Sequence, residues 1–257
     1  MSTLILETSR FDEKLYEAMR FASYAMCEEE TRLRLQGLHF DARGKGGLWL
    51  LATDGHRLHA TKLIDKPLGT FKWRIEAADS RKILAAMRTK KVRAKTPLRI
   101  DFSAGQFVVG ANRYAMHNDH GQLDFQRVMP HKKKPLVTFS RAIDMKAFLA
   151  ASKALTRGPL KITRGEEDSV TLGSSAAIGR RAHKAALTMT LAADVACGEG
   201  FQAVGVNALY LADAFAALGW GYVSVKGDPE YNAAPLLLEC RTTNGPERLC
   251  VIMPMRI

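Results

Sequence analysis

Nothing in this sequence approaches the ~20-residue apolar run that a bilayer-spanning helix needs, so no membrane anchor is expected in it. The first residues, Met1 to Glu7, hold too few apolar side chains for a secretory signal and read as a strand. Cysteine is scarce. The four present, Cys27, Cys197, Cys240 and Cys250, include no closely spaced pair, so a zinc site is not expected. Asn244-Gly245, between the last two, is a strong hairpin signal. A two-residue turn there sets Cys240 opposite Leu249 and Cys250 opposite Glu239. That points the two thiols to opposite faces and disfavours a disulfide. Reduced cysteines predict a cytoplasmic protein.

Signatures of catalysis are missing too. Gly44-Lys45-Gly46-Gly47 lacks the upstream glycine and the following Ser or Thr of a phosphate loop and reads as a turn. No serine sits in a nucleophile elbow. His117-Asn118-Asp119-His120 has metal-like spacing only on a helix, and it falls where a strand gives way to a loop. His56 and His59 would point to opposite faces of a strand. A metal-dependent hydrolase built on His117 and His120 is the enzymatic alternative. The reading preferred here is no enzyme, no metal and no cofactor.

What the sequence has is positive charge. Its 257 residues carry a formal +12. Such an excess favours a polyanionic partner, because each neutralised phosphate releases condensed counterions; it also serves solubility alone. Residues 1–131 hold 22 Lys and Arg against 15 Asp and Glu, and the remainder holds 16 against 11, so the charge is no basic tail. A hydrophobic fraction of 47% and a charged fraction of 25% describe an ordinary folded chain, long enough for two domains.

The natural break is Pro130-His131-Lys132-Lys133-Lys134-Pro135, where two prolines and a lysine run can hardly form a core element. Cutting after His131 gives domains 1–131 and 132–257. The first reads as a strand (4–8), a helix (11–26) with Leu15, Ala18, Met19, Ala22 and Met26 on one face, and strands 33–41, 48–53, 57–63 and 70–75. A helix (79–89) capped by Asp79 or Ser80 follows, then strands 98–102, 106–110 and 113–117. The second half repeats the order. It reads as strand 136–139, helix 143–155 capped by Ser140, strands 160–163, 169–173, 185–193 and 201–206, helix 208–218, and strands 222–226, 236–241 and 248–253. The expected class is α+β, with two helices of each half packed on antiparallel sheets.

Four segments stand out. Thr53-Asp54-Gly55-His56-Arg57-Leu58 suits a hairpin turn, with His56 and Arg57 at its solvated exit. The end, Val251-Ile252-Met253-Pro254-Met255-Arg256-Ile257, is apolar for a tail. It is either the last core strand or the flank of an apolar groove, where soft Met side chains suit varied ligands. The other two are Gly121 to Pro130 and Val206-Asn207-Ala208-Leu209-Tyr210-Leu211-Ala212-Asp213.

Together these segments resemble the beta sliding clamp of bacterial DNA polymerase III. The strings that carry the resemblance are Leu35-Gln36-Gly37-Leu38, Ala52 to Leu58, Arg127-Val128-Met129-Pro130, Asn207-Ala208-Leu209-Tyr210 and Met253-Pro254-Met255-Arg256-Ile257. They stand in the family's order and near its spacing, over the family's second and third domains. The resemblance implies tandem clamp domains and a peptide pocket for polymerase, clamp-loader and repair subunits. Carried over by motif, the first half would give Leu35, Thr53, Gly55, His56, Arg57, Leu58, Leu123, Arg127 and Val128 to that pocket. The second half would give Asn207, Tyr210, Val251, Met253, Pro254, Met255 and Arg256. An apolar floor would take Leu or Phe anchors, and Asn207, His56 and the arginines would fix polar groups.

Three features depart from the family. The family's first domain has no counterpart here, so closing a six-domain ring would take three chains. Family members are commonly acidic, and Leu123 stands where proline is frequent. If a ring forms, double-stranded DNA would be met through phosphates without base reading. Arg32, Arg34, Arg81, Lys82, Arg88, Lys90 and Lys91 are the candidates. The alternative is a clamp-like module that forms no ring and acts as a decoy or regulator of clamp partners.

Overall fold

The computed structural model describes residues 5–8, 12–43, 46–89, 98–118, 124–131, 133–155, 159–166, 169–178, 183–191, 195–231, 233–240 and 247–255. The chain divides into two compact units, Met1–Asp124 and Phe125–Ile257. The sequence-based cut after His131 falls beyond a 3-10 turn, Phe125–Val128, that opens the second unit.

Unit 1 runs β1 (Ile5–Thr8), α1 (Asp12–Ser23), β2 (Leu38–Arg43), β3 (Leu48–Thr53), β4 (Arg57–Ile64), β5 (Thr70–Ile75), α2 (Ala77–Ala86), β6 (Leu98–Asp101), β7 (Gln106–Val109), β8 (Asn112–Ala115) and β9 (His117–Asn118). Its strands pair antiparallel in the orders β4-β3-β2-β5-β9 and β1-β6-β7-β8. The apolar stripe of α1 explains its seat: Leu15, Ala18, Met19 and Ala22 are all buried, and the helix packs on β2, β3 and β4. Phe40 meets Phe102 edge-on at 5.6 Å between ring centroids, inside one core with Leu50, Ile83 and Phe107. Each such side chain taken from water stabilises the unit by about 1.5–3 kcal/mol.

Unit 2 runs β10 (Lys134–Phe139), a 3-10 turn (Ala142–Met145), α3 (Lys146–Leu155), β11 (Pro159–Arg164), β12 (Val170–Ile178), β13 (His183–Leu191), β14 (Val195–Cys197), β15 (Ala203–Asn207), α4 (Ala208–Leu218), β16 (Val223–Gly227), β17 (Leu236–Cys240) and β18 (Arg248–Ile252). Its orders are β13-β12-β11-β15 and β14-β10-β16-β17-β18, again antiparallel. These orders reproduce unit 1: β13, β12, β11 and β15 take the places of β4, β3, β2 and β5, and β10, β16, β17 and β18 those of β1, β6, β7 and β8. The repeat of elements read from the sequence is therefore also a repeat of topology. Phe139 and Phe215, 5.7 Å apart and edge-on, lie in the unit 2 core beside Trp220.

Several expectations need correction. The strand expected at 33–41 starts only at Leu38, because Leu35 N donates to Arg32 O (2.9 Å) and winds that stretch into a turn; Leu33 is 64% exposed. The helix expected from 79 starts at Ala77, with Glu76 at its N-cap and no side-chain cap bond. Ser80 Oγ donates to Ile75 O, and Asp79 pairs with Lys82, so neither caps it. α3 begins after a 3-10 turn and not at 143. Lys134 and Pro135 belong to β10, where the pairing with β16 shifts register between Pro135 and Val137. A proline is tolerated there, at a strand's start beside an irregularity. β12 extends past 173 to Ile178, and the short β9 and β14 were not expected.

The cysteine argument also changes. Glu239 pairs with Leu249 and Leu238 with Cys250, one residue out of the expected register. A one-residue slip flips every side chain of a strand. Cys240 and Cys250 therefore share a face, on diagonal positions, and neither is in a disulfide. Burial raises the Cys240 pKa.

Candidate functional site

The strongest motif builds a turn fixed by one carboxylate. Asp54 Oδ1 accepts from His56 N (2.9 Å) and Arg57 N (3.0 Å), and its Oδ2 accepts from Arg57 Nε (3.0 Å). Thr53 Oγ1 donates to Arg57 O (2.6 Å) and accepts from Gly55 N (3.1 Å), locking the two strand ends together. Asp followed by Gly is how such an Asx turn is written in sequence. The Arg57 and Asp54 side chains are only 11% and 19% exposed, so this charge-assisted bond is shielded from water and contributes about 1–2 kcal/mol.

Gly55 sits at φ +90, a left-handed conformation that favours glycine. A Cβ there would lie 3.2 Å from Arg32 Nη1 and 3.6 Å from Leu35 Cδ1. Arg32 Nη1 donates to Asp54 O (3.0 Å), while its Nε pairs with Glu29 at 2.8 Å. Arg32, expected at a phosphate, thus braces the turn. Gly37, in the Leu35–Leu38 string, is more constrained still. It has φ +90, and a Cβ would stand 1.8 Å from Ile75 O.

The described unit 1 residues predicted for a pocket therefore divide. Leu35 is half-buried, Gly55 and His56 are exposed, and Arg57 is tied to Asp54. Thr53 and Leu58 are buried at 7% and 2% exposure, so they hold the turn and offer a ligand little surface. Beneath it, His59 is fully buried. Its Nδ1 lies 3.1 Å from Phe21 O, an acceptor only, so Nδ1 carries the proton and donates. Desolvation pushes its pKa down to about 4, against the opposing pull of that bond. Nε2 has no hydrogen-bond partner among the described residues.

In unit 2, Asn207 caps α4: its Oδ1 accepts from Leu209 N (2.9 Å) and Tyr210 N (3.4 Å). The helix ends at Gly219, φ +98. The terminal segment returns to this same corner, where Met255 N donates to Gly205 O (2.8 Å), two residues before the cap. Tyr210, Met253 and Pro254 are half-buried and Met255 is exposed; Val251 is buried in β18. In the 3-10 turn, Arg127 is exposed and Val128 half-buried. Leu123 and Arg256 lie outside the described residues.

Of the basic candidates, Arg81 pairs with Glu28 at 2.9 Å and Lys82 with Asp79 at 2.9 Å, a partner that raises the Lys82 pKa. Such exposed pairs contribute little and yield readily to a stronger anion. Arg34 and Arg88 are exposed, while Lys90 and Lys91 lie outside the described residues. His120, of the metal alternative, also lies outside them; His117 Nε2 is 3.5 Å from Glu76. Among the described residues no three His, Cys, Asp or Glu gather as a metal site, and no helix is long and apolar enough to cross a membrane.

Sequence reasoning missed Asp54 as the organising residue, although the Asp-Gly pair signals it. It also missed a cavity of about 180 Å³ in unit 2, lined by Leu136, Phe201, Gln202, Pro229 and Tyr231 among others. None of the predicted residues lines that cavity.

No family model matches the sequence, and no curated protein does. Solved structures do match the fold. A DNA polymerase sliding clamp from Pseudomonas aeruginosa, crystallised with a ligand, superposes with a TM-score of 0.78 at 18% identity, over 99% of this chain and 66% of that one. The DNA polymerase III beta chain of Streptococcus pneumoniae gives 0.76 at 21% identity, over 100% and 65%. The beta subunit of Thermotoga maritima gives 0.76 at 15% identity, over 99% and 65%. This chain thus has, over its whole length, the α+β fold of the bacterial DNA polymerase III beta sliding clamps, and it spans about two thirds of theirs.

Proposed function

We propose that this chain is a sliding clamp: a non-enzymatic protein that encircles double-stranded DNA as a homotrimeric ring and tethers polymerase, clamp-loader and repair proteins by short peptide motifs. The whole-chain likeness to solved clamps carries the reading. The formal charge of +12 supports a polyanionic partner. Peptides use the Leu35, Gly55 and His56 corner of unit 1 and the Tyr210, Met253 and Met255 corner of unit 2. Each joins apolar side chains to a rigid polar backbone, as ligand sites do. The basic side chains around α2 meet phosphates without reading bases, which lets the protein slide.

Topological and electrostatic grip respond differently to salt, and that separates the readings. Contacts to phosphates weaken steeply as salt rises, whereas a ring threaded on DNA with blocked ends cannot leave. The protein is incubated with linear duplex biotinylated at both ends, streptavidin is added, and the complex is washed at high salt. Retention that is lost when the ends stay open is expected. Tyr210→Ala and Met255→Ala are expected to weaken a polymerase-derived motif peptide about tenfold, about 1.4 kcal/mol, with retention unchanged. Peptide binding without retention would favour the module that forms no ring. The absence of both peptide binding and retention would overturn the clamp reading.

A further inference from the structure

Four buried apolar side chains, Leu136, Phe201, Val204 and Leu236, line the unit 2 cavity of about 180 Å³. Gly227 lies against two of them: a Cβ there would stand 3.0 Å from Leu136 Cδ1 and 3.3 Å from Leu236 Cδ2. Asp228, Pro229, Glu230 and Tyr231 supply a second, polar part of the lining. That stretch is a turn held by its own hydrogen bonds. Asp228 Oδ1 accepts from Glu230 N (3.0 Å), Tyr231 N donates to Asp228 O (3.3 Å), and Tyr231 O accepts from Ala234 N (3.0 Å). Tyr231 is nevertheless 62% exposed, so its ring is open to a guest.

The charge here runs against the rest of the chain. On a protein of formal +12, the cavity carries two carboxylates and, among the described residues, no Lys, Arg or His. Such a place repels a phosphate and draws a cation. A bare metal ion of the calcium type wants six or more oxygens and gains nothing from apolar walls. The volume is well below the ~300–1,000 Å³ of small-molecule sites, and it suits a single side chain. A long aliphatic stem with a charged head matches both parts of the lining. We propose that the cavity receives one arginine or lysine side chain of a partner protein. Its stem lies along Leu136, Phe201 and Leu236, its head meets Asp228 and Glu230, and Tyr231 offers a cation–π face. The identity of the partner rests on the clamp reading; the cavity's preference for a cation does not. Val204 adjoins Gly205, whose carbonyl accepts from Met255 N at 2.8 Å, so a peptide docked at Tyr210 and Met255 reaches the cavity with a flanking residue.

The test has two arms, both on the full chain. In the first, N-acetyl-arginine amide and N-acetyl-norleucine amide are titrated against protein labelled at its Leu and Val methyl groups for NMR. Shifts at Leu136, Val204 and Leu236 with the arginine amide alone are expected. The double variant Asp228→Asn, Glu230→Gln should abolish them; asparagine keeps the oxygen that accepts from Glu230 N, so the turn stays closed. In the second arm, a polymerase-derived motif peptide carries arginine, lysine or norleucine in turn at each position flanking its apolar anchors. At one such position the cations are expected to tighten binding about fivefold over norleucine. That gain should fade with salt and vanish in the double variant, whose binding of the norleucine peptide stays unchanged. No cation-specific shift, shifts that survive the double variant, or a motif peptide that binds but gains nothing from either cation would overturn the proposal. Cation-specific shifts with no motif peptide bound would uphold the cavity's preference and sink the clamp reading.

Discussion

Unit 1 holds its share of the candidate residues by a cluster of side-chain hydrogen bonds, and unit 2 holds its share by one side-chain cap and one backbone bond. In unit 1, Asp54 gathers three donors and Thr53 closes the strand ends over them. In unit 2, one amide oxygen caps α4 and one backbone bond pins Met255 beside Gly205. The same strand order therefore carries two kinds of corner. The first depends on a few irreplaceable side chains. The second depends on one cap, Asn207, and on the path of the chain through Gly205 and Met255.

Substitutions should separate the two units, most sharply where a close backbone approach coincides with a positive φ. Gly37→Ala puts a methyl group 1.8 Å from Ile75 O at a positive φ, and it should cost about 4 kcal/mol or more. Denaturant unfolding, followed by Trp49 and Trp73 fluorescence, would read that loss in unit 1. A shift of less than ~1 kcal/mol would mean that the chain has another path past β5.

Acid should also strike unit 1 first. The His59 pKa falls from 6.5 to about 4 on folding, so the unfolded chain binds a proton that the folded chain refuses. The stability this neutral ring protects is complete above pH 6.5, declines as the pH falls, and is gone by about pH 4. The loss is about 3 kcal/mol. Stability measured against pH should show that limb, and His59→Phe should remove it. Unit 2 has no buried histidine among its described residues.

The smallest contrast is between the two corners themselves. Asp54→Ala removes three hydrogen bonds, one of them from the Arg57 guanidinium, for about 2 kcal/mol. Asn207→Ala removes one cap, for about 1 kcal/mol. Shifts in the denaturation midpoint compare them directly. Equal losses would erase the distinction drawn between a clustered side-chain network and a single cap.

Where local chemistry decides, the sequence was legible. The apolar stripe of α1 and the Asp-Gly turn name their own structures, and α4 runs over 208–218 as its pattern predicts. Where tertiary packing decides, it was not. Leu33, Arg34 and Leu35 alternate like a strand, yet backbone bonds wind them into a turn. Ser174, Ser175, Ala176 and Ala177 lack the apolar signal of a strand, but β12 continues through them by pairing with β13. β17 and β18 pair one residue away from the register that a two-residue turn at Asn244-Gly245 would set. At the candidate site the motif residues were visible, but their division of labour was not. Leu58, Thr53 and Val251 carry the motif and are buried, and Arg32 reads as a free cation until Asp54 is seen beside it.

Asn207 imposes a polarity on whatever approaches its corner. Its oxygen is already engaged by two helix N–H groups, which leaves the NH₂ as the end able to reach outward. That end only donates. On the clamp reading, a guest peptide would meet this side chain with an acceptor, a carbonyl or a carboxylate.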